Sequence, residues 1–151
     1  MEKSIFDSAA RQEILSRIDS LKPEAKALWG KMNVRQGLHH MSLAFRNSLG
    51  ELQTKSGRGG KLKKKIMKFF LLNVAPPKGK AETLPEFNTV NLGIDPQDFD
   101  TEKRNLRQYV ERFAVSTTFA PESSGGGPFT KEDWGKLMYI HSDHHLKQFG
   151  V

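Results

Sequence analysis

Five histidines fall in two clusters, His39-His40 and His141-Ser142-Asp143-His144-His145. Imidazole is the commonest metal ligand among side chains. His141 and His145 are four residues apart, which puts both rings on one face of a helix. At about 100° per residue, the same face carries Trp134, Leu137, Met138 and Phe149. That face is expected to be buried. Two imidazoles there need partners, because a buried polar group without one is costly. A metal ion can satisfy both. A third nitrogen from another helix would complete a set on one side of the ion and leave positions open to water or substrate, as in a catalytic site and not a closed structural one. His39 or His40 can supply it, and spacing does not choose between them. Both lie off the main apolar stripe of their helix, with Gln36, Leu43 and Asn47 nearer His40. The alternative reading is a set of hydrogen-bonded core or surface histidines.

The chain around these clusters has 151 residues, which suits a single domain, 1–151, with a core of its own. Cysteine is absent, so no disulfide, thiolate ligand or cysteine nucleophile is available. A soft-metal site must use histidine and carboxylate. Hydrophobic residues at 36% and charged residues at 27% are ordinary for a globular protein. The start, MEKSIFDSAARQEIL, has no apolar stretch of signal-peptide length, and no window approaches the roughly 18 apolar residues of a membrane span. The expectation is a cytoplasmic protein without a membrane partner. The formal charge of +7 suits solubility. The run Lys61-Leu62-Lys63-Lys64-Lys65 raises a second reading, a nucleic-acid or acidic-surface binder acting through Lys61 to Lys68. Basic residues are spread along the whole chain and no nucleic-acid motif is recognisable, so nucleic acid is the lesser expectation.

The elements that must position the histidines are helical. The first runs about Asp7 to Leu21, with Ile14, Leu15, Ile18 and Leu21 at helical spacing and Asp7 or Ser8 as its cap. Pro23 suits the first turn of a short helix reaching Lys31. Asn33 caps the next helix, with Gln36 three residues on. Its stripe is Val34, Leu38, Met41, Phe45, Leu49 and Leu52, ending near Gly50. The segment Ser56 to Gly60 reads as a break. Lys61 to Asn73 is a basic amphipathic helix with Leu62, Ile66, Phe69 and Phe70 on one face. Membrane-surface or partner binding is one reading of it. The favoured reading is a helix that caps the bundle with its lysines toward water. Pro76-Pro77-Lys78-Gly79 ends it, and Ala75 to Pro96 reads as an ordered loop. Pro96 to Ala114 is a helix with Phe99, Leu106, Val110 and Phe113 inward. Ser123 to Gly127 is another break, and Thr130 caps the last helix with Asp133 in its first turn. Strand signals are weak, so the class is all-α. A long connection after the second helix suits a bundle with a crossover.

Two segments carry a family resemblance. Trp29-Gly30-Lys31-Met32-Asn33, followed by Gln36, Leu38 and His40, resembles the second-helix signature of DinB-like proteins. Phe129-Thr130, Trp134-Gly135, Leu137, Tyr139 and the run His141 to Gly150 resemble the closing signature of a domain-of-unknown-function branch of that superfamily. Asp98-Phe99 with Arg104 also fits. The resemblance spans about Ile14 to Val151. It implies an up-down-down-up four-helix bundle, often dimeric, to which the residues themselves add the short basic helix Lys61 to Asn73 in the crossover. It implies a divalent metal (zinc, nickel or iron) held by His40, His141 and His145, with Gln148 three positions beyond and His39 and His144 as neighbours. The sequence differs from many relatives at Gly37 and His39, which would reshape the pocket without removing a ligand.

By the same resemblance, the activity expected is that of a metal-dependent transferase or hydrolase. Its partners would be a low-molecular-weight thiol, or water, and an electrophilic small molecule. A three-histidine ion can lower the pKa of a bound thiol or water. A non-catalytic metal-binding or stress-response dimer is the alternative. No general base stands out. Asp143 falls opposite the histidine pair and is expected to face solvent, Glu111 and Asp133 have no support, and Tyr139 and Gln148 are candidate polar groups near the site.

Overall fold

Four of the five α-helices among the described residues begin where a side-chain oxygen meets the first free amides, and the fifth follows Gly60 without such a cap. The computed structural model describes residues 2–52, 54, 59–79 and 84–151. α1 spans Ser8–Ser20, and the Asp7 carboxylate accepts from the Ala10 amide at 3.0 Å. α2, Val34–Ser48, starts with a reciprocal box in which Asn33 accepts from the Gln36 amide and Gln36 from the Asn33 amide. Asp98 caps α4, Phe99–Val115. α5, Lys131–Gln148, opens with the same box built from Thr130 and Asp133. Gly50 ends α2 by taking a left-handed φ of 77° just after the cap residue Leu49.

These helices pack around one core. α2 lies against both α4 and α5, and α1 also lies against both. Ile14, Ile18, Leu38, Met41, Phe45, Leu106, Val110, Phe113, Trp134 and Leu146 are all essentially sealed from solvent. The periodic residues expected to face inward on α1, α2 and α4 do so, with Phe99, Leu49 and Leu52 only partly covered. The protein is mostly helical. Its only sheet among the described residues is a two-residue hairpin, Glu122–Ser123 with Gly127–Pro128, in the glycine-rich break. No helix among them is long and apolar enough to cross a membrane.

Three expectations are corrected. The short helix expected over Pro23 to Lys31 does not form. That stretch is a strap across the end of α5: the Leu28 amide donates to the Gln148 carbonyl at 2.8 Å, and Gly30 turns through a φ of 78°. Its backbone donor is spent on another element and Leu28 is exposed, so no buried stripe holds a helix together. α4 starts at Phe99 and not at Pro96, because Asp98 is the residue whose carboxylate meets the first amides. The third correction concerns α3, Lys61–Asn73. Its boundaries are as expected, but Leu62, Ile66, Phe69 and Phe70 point outward. The covered side is Lys64, Lys68, Leu71 and Leu72. Lys68 pairs with Asp133 at 2.6 Å and lies over the Phe129 ring, so its aliphatic stem packs while its charge is met. The break expected over 56–60 lies mostly outside the described residues. Gly60 within it precedes the first turn of α3. The 75–96 loop, described over 75–79 and 84–96, is anchored by a 3-10 turn at Pro85–Phe87 with Phe87 and Thr89 buried.

Candidate metal centre

His40 comes from the middle of α2, and His141 and His145 from the last two turns of α5. Their packing brings one nitrogen of each ring within 4.8 Å of the other two. The His40 and His141 Nε2 atoms are 3.0 Å apart. His40 and His145 rings meet edge-on with centroids 4.6 Å apart, as do His141 and His145.

The other ring nitrogens fix what these atoms are. His40 Nδ1 donates to the Phe87 carbonyl at 2.8 Å. His145 Nδ1 donates to Gln148 Oε1 at 2.8 Å, and Gln148 Nε2 donates in turn to the Trp29 carbonyl at 2.7 Å. Both Nε2 atoms are therefore bare lone pairs aimed at the cluster. His40 Nε2 lies 3.0 Å from His141 Nε2, and its lone pair cannot rest against another there without something positive between them. In the metal-free protein a proton on His141 Nε2 can serve. Its Nδ1 is then a buried atom with no partner, a loose end of the kind that marks a site built for something else. Two nitrogens sharing one cation at about 2.1 Å each would lie at a comparable separation. Three histidines from two elements, with Nδ1 of two of them tied back to the chain, thus fit a divalent ion.

The electrostatics agree. Burial pushes the His145 pKa down to about 3, and the neighbouring His40 adds to the shift. Burial, reinforced by His145 and His40, holds His141 well below the usual imidazole range. Burial lowers His40 too, partly opposed by its bond to the Phe87 carbonyl. Neutral imidazole is the form that binds metal.

The open choice between His39 and His40 resolves by position. His40 is buried in the cluster, whereas His39 Nδ1 donates to the Glu102 carboxylate on α4 at 3.0 Å. His144 lies against the Trp29 ring and is outside the cluster. Of the candidate polar groups, Gln148 touches the site and Tyr139 does not, since its hydroxyl donates to Glu13. Asp143 does not simply face solvent: it is held by Arg17 at 2.8 Å and by Lys147. Asp133 is occupied by Lys68 and Glu111 pairs with Arg107. Among the described residues no carboxylate joins the three rings. A cavity of about 280 Å³ reaches His145, and Trp29, Asn88, Asn91, His144 and Gln148 help line it. The carbonyls of Phe87 and Trp29 carried no sequence signal, since any residue supplies one. Gly37, the position that departs from many relatives, sits against Phe149: a β-carbon there would meet that ring at 2.3 Å.

A family model described as "Protein of unknown function (DUF1569)" matches residues 2–150. No curated protein and no solved structure matches the chain.

Proposed function

The chain belongs to the family described as a protein of unknown function (DUF1569), and we propose that it is a divalent-metal-binding protein of DinB-like, up-down-down-up bundle architecture that acts as a metal-dependent transferase. The observation that carries this reading is the convergence of three imidazoles, His40 and His145 buried and His141 partly so, two of them locked by Nδ1 bonds so that Nε2 faces inward. His40, His141 and His145 would hold the ion. When bound, a divalent ion at such a set supplies Lewis-acid activation of a coordinated thiol or water.

The chain's own contribution is placement and dryness. Phe87 and Gln148 orient His40 and His145, and the surrounding helices seal His141 Nδ1 from solvent. The cavity beside His145 admits a small molecule and presents the Asn88, Asn91 and His144 side chains to it. In the overall reaction a thiol gives up its proton and forms a sulfur–carbon bond to an electrophile, whose leaving group departs.

Elemental analysis of protein purified without a histidine tag is the first test, with near-stoichiometric zinc, nickel or iron expected. Turnover of small thiols with an electrophile, abolished by chelation and restored by the metal, is the second. A metal-free preparation that takes up no divalent ion refutes the centre. Full metal occupancy with no turnover across thiol and water acceptors refutes the transferase. Replacing Gln148 with leucine should lower metal affinity about 10–100-fold, because it frees the His145 ring to rotate. Competition against a chelator of known affinity measures this, and an unchanged affinity would show that the Gln148 bond orients nothing.

A further inference from the structure

Among the described residues, the outward face of α3 shows more exposed large apolar side chains than any other element. Leu62 is 72% exposed, Phe69 60%, Phe70 52% and Ile66 50%, and Met67 and Val74 extend the strip. Such a contiguous strip is uncommon on a protein with nothing to place on it. Around the helix axis, Phe69, Leu62, Ile66 and Phe70 form one arc. Lys65 borders it on one side and Lys63 on the other. The helix contains no acidic residue. Its opposite side is bolted to the protein: Lys68 bonds Asp133 and the Pro128 carbonyl, and Leu72 is buried. The ridge is therefore presented by a fixed support.

We propose that this ridge docks on the surface of an anionic lipid bilayer. The argument is charge complementarity joined to an apolar centre. Apolar residues enter the boundary between headgroups and acyl chains, while bordering lysines reach back to anionic headgroups. α3 is about 20 Å long at 1.5 Å per residue, and no described helix can span a bilayer, so the protein would lie on the membrane and not cross it. A second copy fits the ridge less well. Apposed α3 ridges would bring Lys63 and Lys65 of each copy together with no acid on either helix to pair them. A nucleic-acid backbone would use the lysines and leave the apolar centre in water.

The experiment is sedimentation of the full chain with vesicles of phosphatidylcholine alone or mixed with phosphatidylglycerol. Binding is expected to the anionic vesicles, weakly or not at all to the neutral ones, and it should fade as salt rises. Changing Lys63 and Lys65 to glutamine should weaken partitioning about fivefold for each lysine lost. The double change Phe69→Ser and Phe70→Ser should abolish it. Both variants should keep wild-type helicity and metal uptake, since the altered side chains are already outside the core. No binding to anionic vesicles at low salt overturns the proposal. So does undiminished binding by the Phe69/Phe70 variant, which would make the attraction one of charge alone. A concentration-dependent dimer that the same variant dissolves, with vesicles ignored, would assign the ridge to self-association instead. Metal uptake is read separately, so failure here leaves the metal centre standing.

Discussion

Replacing His145 with alanine should abolish tight divalent-metal binding, while replacing His144 with alanine should leave most of it. The two residues are sequence neighbours with the same side chain, yet only His145 offers a nitrogen to the cluster. Its Nδ1 is engaged by Gln148, so Nε2 is the free donor. Removing it takes away one of three ligands and should cost more than the roughly 10–100-fold that follows loss of a supporting hydrogen bond. His144 instead lies against Trp29 and borders the cavity. Its loss should change what the cavity admits before it changes what the cluster holds. Elemental analysis of the two purified variants decides the matter, and equal loss in both would refute the ligand assignment.

The metal-free protein should lose stability steeply as pH falls from about 6.5 to 4.5. An imidazole in the unfolded chain takes a proton near pH 6.5. In the folded protein burial lowers the pKa of His40, His141 and His145, the last to about 3. Below pH 6.5 the unfolded state therefore binds protons that the folded state refuses. The folded state is unpenalised above that pH and loses ground as acid is added. Each ring that stays neutral in the folded protein adds about 1.4 kcal/mol per pH unit to the slope, and His145, lowered below that window to a pKa of about 3, contributes throughout it. Asp133 and Asp143, whose ion pairs hold them below the ordinary carboxylate range, add their own loss only at lower pH, when the unfolded carboxylates protonate. Urea midpoints taken at successive pH values measure the slope. His145→Phe should make it shallower, because one refusing group is gone. A stability that does not change between pH 6.5 and 4.5 would mean that the rings are reached by water and protons.

The sequence shows some of this plainly and hides the rest for identifiable reasons. Caps at Asp7, Asn33 and Thr130 and stripes such as Val34-Leu38-Met41-Phe45 are local, and they delimit helices that form as expected. The pairing of His141 with His145 is local too. The choice of His40 over His39 is not local. The apolar stripe of α2 leaves both aside, and His40 is buried because a loop more than forty residues later lays the Phe87 carbonyl on its ring. No periodicity announces a backbone carbonyl. The orientation of α3 misleads for another reason. Hydrophobicity alone sends Leu62, Ile66, Phe69 and Phe70 inward, but the side that meets the protein is Lys64, Lys68, Leu71 and Leu72, and the pairing of Lys68 with Asp133 is a long-range contact with no local trace. The strap over residues 23–31 was expected as a helix because proline and spacing permit one. Its bonds to the last turn of α5 are long-range and leave no local trace.

The distance along the chain between the histidines has a thermodynamic consequence. His40 and His141 are separated by 101 residues. An unfolded chain could still grip an ion through His141 and His145, which are close in sequence. Recruiting the third arm would require closing a loop of that length, and the entropic penalty for closure grows with length. Folding has already closed the loop. An ion held at three points would therefore be a ligand of the native state above all, and would stabilise that state by mass action, growing with the logarithm of its concentration. In a chain with no cysteine, it would serve as a removable cross-link between the first half of the polypeptide and its end.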